Sequence, residues 1–290
     1  MDRPWAQANG VGPPPFSDMP WTHVLIAPLP LKDPSRCEKG MTGFHPERRG
    51  IVPTPRVLAC GDSALSVEFG DTIDPDINGK VLALDEILRL RAPAGLLETV
   101  PTYRSLLVQF DPTSTDVDAL AAFLAAEAPR VAPRAATGRR WRIPVVYGGP
   151  FGIDLEEVGA RHGLTLRQVV DLHAEGLYRV YMIGFLPGFA YLGGLDPRLA
   201  TPRRTQPRAR IPSGSIIIGG AQAAVSSIEC PSGWHLLGRT PVRSYAPERD
   251  PAFLLAAGDE VVFRPIDASR WDGLEKAAMA GEPVAEEIRR

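Results

Sequence analysis

The second half of the chain is written in short apolar runs, at 178–185, 215–219, 234–238 and 260–265, each cut off by glycine or proline. That punctuation most narrows the folds available. The runs are too short for ordinary globular helices but long enough for strands, and many short strands separated by turn residues point to a small β-barrel. Upstream of them, Arg142 to Val146 reads as an opening strand and the cluster Gly148-Gly149-Pro150-Phe151-Gly152 as a turn. Two short helices fit 154–162 and 165–175. Thr165 suits the cap of the second, in which Leu166, Val169, Val170 and His173 share a face.

The preceding stretch has a different period. Residues 57–60 and 65–69 alternate around the turn Gly61-Asp62-Ser63, which predicts a β-hairpin. A helix follows, with Asp74 and Pro75 suited to its start and Ile77, Val81, Leu84, Ile87 and Leu88 spaced for one buried face. Strand signals return at 97–101 and 105–110, and a second amphipathic helix is expected over 116–128. Two strands, helix, two strands, helix predicts an α+β layer over 56–135, with both helices on one face of an antiparallel sheet. Pro129, Pro133 and Gly138 mark a linker to the barrel at 139–268, and 269–290 are left as a C-terminal tail. Eleven of the 30 prolines fall in 1–55, where they interrupt any period. This segment reads as a disordered extension, in which Val24 to Ala27 is the one apolar patch able to dock.

Bulk properties exclude several roles. A net charge of −2 lacks the basic footprint of a nucleic-acid binder, and no apolar run approaches the roughly 20 residues needed to span a bilayer. Cys37, Cys60 and Cys230 are odd in number and far apart, which fits a reducing cytoplasm better than a disulfide framework or a zinc site. Asp2, Pro4 and Trp5 stand where an export signal would need a cationic start and an unbroken apolar stretch.

Motifs for common chemistries are missing. The glycine cluster at 148–152 lacks the lysine of a phosphate-binding loop, so no cofactor is expected on this chain and any ATP chemistry belongs to a partner. The histidines at 23, 45, 162, 173 and 235 form no i, i+4 pair, so no metal site is expected. There is no G-x-S-x-G elbow. What remains is the run Gly184-Phe185-Leu186-Pro187-Gly188-Phe189-Ala190-Tyr191-Leu192, whose aromatic residues either plug a barrel end or line a pocket. After it, Arg198, Arg203, Arg204, Arg208 and Arg210 stand among Pro197, Pro202, Pro207 and Pro212. Arginines on such a stiffened loop either clamp a planar anion or pair with the protein's own carboxylates.

Beyond single motifs, many segments match one family in order and spacing. They are His173, Tyr178, the run 184–192, Gly194-Leu195, Thr201-Pro202-Arg203-Arg204, Pro207-Arg208, Ile211-Pro212-Ser213-Gly214-Ser215, Ile218-Gly219-Gly220-Ala221-Gln222 and the stretch Gly233 to Pro241, with Gly61-Asp62-Ser63-Ala64 and Ile143 to Gly149 ahead of them. Over about 56–266 the chain resembles the 5-oxoprolinase B-subunit family, also known as the kinase-inhibitor or allophanate-hydrolase-subunit-1 family. The resemblance implies an N-terminal α/β domain followed by a cyclophilin-like β-barrel. It also implies a subunit, inactive alone, that acts with 5-oxoprolinase subunits C and A in ATP-dependent opening of 5-oxoproline to glutamate, the ATP being used through a partner. Relatives serve as the carboxyltransferase part of urea carboxylase, and one inhibits a sporulation histidine kinase, so fold alone does not choose among these roles. Two departures bear on the substrate: Ala223-Ala224-Val225-Ser226-Ser227 replaces the family's Thr-Gly-x-Tyr-Pro run, and Pro231-Ser232-Gly233-Trp234 its Pro-Gly-Gly-Trp.

The expected site is a groove of the barrel into which His173, Arg203, Arg204, Arg208, Gln222 and Trp234 converge, with Phe185, Phe189 and Tyr191 as its apolar wall. In it the arginines would hold a substrate carboxylate and Gln222 a lactam or carbamoyl group. His173 would either pass a proton near neutral pH or tie its helix to a barrel strand.

Overall fold

Alternating residues build a small antiparallel sheet first. In a computed structural model that describes residues 55–134 and 138–289, strands β1 (Arg56–Ala59) and β2 (Ala64–Glu68) form the hairpin, with Val57 opposite Val67. Helix α1 (Pro75–Arg91) starts where the Asp74 carboxylate accepts from the backbone N–H groups of Asp76 and Ile77. Strands β3 (Leu96–Pro101) and β4 (Ser105–Phe110) and helix α2 (Val117–Glu127) complete the layer, in the sheet order β1-β2-β4-β3. Leu106, Val108 and Phe110 point to one face and pack with Val81, Leu84, Leu88, Leu120 and Leu124 from the helices, so one core lies between sheet and helices. The extension expected over 1–55, including the patch at 24–27, lies outside the described residues except for Pro55.

The barrel begins with β5 (Arg140–Tyr147), followed by α3 (Leu155–His162) and α4 (Leu166–Ala174). Thr165 and Gln168 form a reciprocal capping box at the start of α4. Then come β6 (Tyr178–Ile183), β7 (Ala190–Gly193), β8 (Arg208–Ile211), β9 (Ser215–Gly219), β10 (Gln222–Val225), β11 (Cys230–Ser232), β12 (His235–Arg239) and β13 (Glu260–Pro265). Seven strands close in the order β12-β9-β10-β7-β6-β13-β5, the ring being completed by pairing of β12 with β5. Residues 269–290, set apart as a tail from sequence, instead form α5 (Trp271–Met279) and β14 (Glu286–Ile288), which pairs with Arg140 to Arg142 of β5.

The run Ser215–Gly219 is buried throughout because both faces of the barrel wall are covered. Ile216 and Ile218 join Val145, Val180, Leu192, Leu237 and Phe263 in the interior, to which α3 and α4 add Val158 and Val169. Ile217, Ala224 and Leu236 face the other way, beneath a two-stranded ribbon of β8 and β11 that adds Ile211 and Cys230. This outer cluster, which also holds Phe189 and Trp234, positions the candidate site.

Candidate functional site

Two groups of the expected residues stand on the outer wall, and they differ in kind. The first is aromatic. Phe189 lies 4.8 Å from Tyr191 between ring centres, Tyr191 lies 6.0 Å from Trp234, and Phe185 meets Phe189 edge-on at 5.6 Å. Phe189 and Trp234 are buried, whereas Phe185 is 61% exposed. Phe185 also has a φ of 68°, in the left-handed region that favours glycine, so the loop before β7 holds it in a strained backbone conformation. Trp234 fits against β9 because residue 219 is glycine: an added Cβ would come within 2.6 Å of the indole. The Arg203 guanidinium sits 5.5 Å over that indole and has no ion-pair partner among the described residues. Gln222, the first residue of β10, is half-buried.

Tyr103, which carried no expectation, reaches this surface from the turn between β3 and β4. Its ring is 5.1 Å from Tyr181 and 6.2 Å from Tyr191. Burial pushes its phenol well above the usual range, with the neighbouring tyrosines adding to the shift. The signal available in the sequence was an aromatic residue at the tip of a predicted hairpin.

The second group is ionic. Arg208 donates to both oxygens of Asp154, at 2.7 and 2.6 Å, and Arg204 donates to Asp154 at 3.1 Å and to Glu157 at 2.9 Å. Asp154, 2% exposed, also accepts from the backbone N–H of Leu236 at 2.7 Å. The glycine cluster before α3 explains how this carboxylate arrives there. A Cβ on Gly152 would come within 1.9 Å of the Leu237 carbonyl, so glycine lets the turn lie directly against β12. The expectation that Arg204 and Arg208 stand free for a substrate carboxylate is therefore corrected: their fork geometry is spent on the protein's own buried carboxylate. Asp154, Glu157 and His235 offer metal-ligand atoms within 4.8 Å of one another. Each Asp154 oxygen already receives two hydrogen bonds, and two guanidinium groups face it, so this carboxylate is taken up by an ion-pair network, while His235 Nδ1 is buried without a hydrogen bond.

His173 joins neither group. It is fully buried on α4, stacked 4.9 Å from Phe263 and 5.2 Å from Tyr178, both members of the barrel-interior cluster. Its Nδ1 shares a 2.8 Å hydrogen bond with the Tyr147 hydroxyl, and its carbonyl accepts from Tyr178 at 3.0 Å. Desolvation lowers its pKa to about 3. The expected convergence of His173 on the groove is corrected accordingly: the barrel wall separates it from Trp234, and its contacts tie α4 to β5, β6 and β13.

A family profile described as the carboxyltransferase domain, subdomain C and D, matches residues 55–255. The chain is 39% identical over 214 residues to the B subunit of 5-oxoprolinase from Bacillus subtilis (strain 168), covering 70% of this chain and 89% of that protein. The crystal structure of TTHA0988 is 36% identical with a TM-score of 0.64, covering 71% of this chain but only 40% of that one. The Kluyveromyces lactis urea amidolyase superposes with a TM-score of 0.70 over 81% of this chain and 16% of its own, at 20% identity, a likeness of fold. By its profile match and its relatives, the chain belongs to the 5-oxoprolinase B-subunit family of carboxyltransferase-domain proteins.

Proposed function

We propose that this chain is the B subunit of an ATP-dependent 5-oxoprolinase that converts 5-oxo-L-proline to L-glutamate, and that it holds the lactam on the aromatic face of its barrel. The kinship to a named 5-oxoprolinase component, over nearly its whole length, supports the reaction. A single observation supports the place: Arg203 is a guanidinium without an ion-pair partner among the described residues, set over an indole that stands beside a tyrosine. There it can pair with the substrate carboxylate while the rings of Tyr191 and Trp234 cover the apolar edge of the lactam and Gln222 bonds its amide. His173, walled into the core, moves no proton in this reading. The chain lacks the lysine-bearing loop that cradles phosphates, so ATP is used through the partner subunits C and A.

Reconstitution tests this directly. The purified chain should neither hydrolyse ATP nor open 5-oxoproline, and addition of the two partner subunits should restore ATP-dependent release of glutamate. Turnover by the isolated chain, or full turnover by the two partners without it, would overturn the assignment.

A further inference from the structure

Gly233, Trp234 and His235, which lead into β12, hold three consecutive residues of the arginine loop. The Gly233 carbonyl accepts from the Arg204 N–H at 2.7 Å, and His235 Nε2 meets the Pro202 carbonyl at 2.9 Å. Between these two ties the Trp234 indole lies under the Arg203 guanidinium. A carbonyl oxygen only accepts, so Nε2 is the donor. The two planar peptide groups that flank the Arg203 Cα are thus both fixed, one through its oxygen and the other through its N–H, which leaves this residue little freedom in φ and ψ. The surrounding backbone is held as well. Thr201 exchanges hydrogen bonds with Gly220 at 3.1 and 2.6 Å, and the Ser232 hydroxyl accepts from the Trp234 N–H at 3.0 Å. His235 makes its tie with an atom left over. It is 1% exposed, and its Nδ1 has no hydrogen bond, since the Glu157 carboxylate oxygen 3.9 Å away is beyond reach. A buried nitrogen without a partner lowers stability, so packing alone would favour an apolar side chain here.

We propose that His235 is a positioning residue for Arg203: by holding the Pro202 carbonyl it fixes the backbone from which the guanidinium reaches over Trp234, and so presents the paired N–H donors to a ligand carboxylate. A long side chain that must be ordered when a ligand arrives weakens binding. Arg203 has less freedom left to lose, because its root is tied on both sides and its planar head already rests on a ring. Arg203 then makes the contact with the anion, and His235 touches no substrate atom. The benefit is confined to ligands that carry the carboxylate, since a neutral analogue gains nothing from a well-placed guanidinium. This role rests on the groove reading above and adds to it a specificity for acids over their amides.

The experiment uses this chain assembled with both partner subunits. His235→Leu removes the donor to Pro202. The KM for 5-oxoproline should rise about three- to tenfold, the span of one hydrogen bond, with kcat and the KM for ATP little changed. 5-Oxoprolinamide, in which a carboxamide replaces the carboxylate, should inhibit His235→Leu as well as it inhibits the wild type, so the preference for the acid narrows by the same factor. His235→Gln, whose longer amide can again donate to the Pro202 carbonyl, should recover most of the loss. The double variant His235→Leu with Arg203→Ala should be no worse than Arg203→Ala alone. If His235→Leu does not assemble, His235→Asn, whose amide stops short of that carbonyl, takes its place in every comparison. Suppose Arg203→Ala raises the KM but His235→Leu does not, the two losses multiply, the amide weakens as much as the acid, or His235→Gln is as poor as His235→Leu: any of these overturns the positioning role while the groove stands. If Arg203→Ala leaves the KM at the wild-type value, the groove reading itself fails.

Discussion

Arg203 and Arg204 are neighbours in the chain and opposites in the fold. Arg204 turns under the barrel wall to a carboxylate that is 2% exposed, whereas Arg203 stays on the surface over Trp234. Residue type, local prolines and loop stiffness are the same for both, so none of these decides which arginine is free to meet a ligand. What decides is whether a carboxylate of the protein lies within reach. Asp154, 50 residues upstream of Arg204, does, because the glycine turn that precedes it delivers it.

The largest effect expected from this contrast lies at Asp154. Asp154→Ala leaves two part-buried guanidinium groups and the Leu236 N–H without their partner, and should cost about 3–5 kcal/mol in denaturant unfolding. A loss under about 1 kcal/mol would show that the network is not structural.

Next comes His173, the other reactive-looking residue that the fold has absorbed. Its folded pKa of about 3 lies below the 6.5 of the unfolded chain, so the unfolded state binds more protons between these values. Stability contributed by this group is complete above pH 6.5 and is lost as pH falls toward 3, at up to about 1.4 kcal/mol per pH unit. His173→Phe should flatten that part of the stability–pH curve. An unchanged slope would mean that other groups govern acid unfolding.

Smaller still is the change Arg208→Lys, which keeps the charge but loses the paired donors to Asp154; unfolding should shift by about 1–2 kcal/mol. The least change in stability, within about 0.5 kcal/mol, is expected for Arg203→Ala. That variant should instead raise the KM for 5-oxoproline in the complex. If Arg203→Ala unfolds as easily as Arg208→Lys, the two arginines are not different in kind.

Much of this architecture was legible because local periods carry it. The hairpin at 57–69, the cap at Asp74, the helices ending near His162 and Ala174, and the Thr165 cap all follow from spacing over a few residues. Short strands such as β8, β10 and β11 were not read as strands, since three or four residues hold too little alternation and their pairing is decided by distant partners. The same limit applies to the site. Aromatic residues close together in sequence, Phe185, Phe189 and Tyr191, do lie side by side. Asp154 and Tyr103 went unseen because their importance comes from contacts made 54 and more than 70 positions away. Among the described residues no helix is long and apolar enough to cross a membrane.

The parallel pairing of β13 with β5 has a consequence for biosynthesis. Glu260 lies opposite Arg140, 120 residues later in the chain. At about 5–20 residues per second, synthesis of that interval takes on the order of 6–24 s. The four strands of the small sheet lie within 56–110 and can pair as soon as they emerge, while the edge of β5 that receives β13 must wait. On the ribosome, then, that edge stays open to other chains until β13, the last strand of the closed ring to be made, arrives.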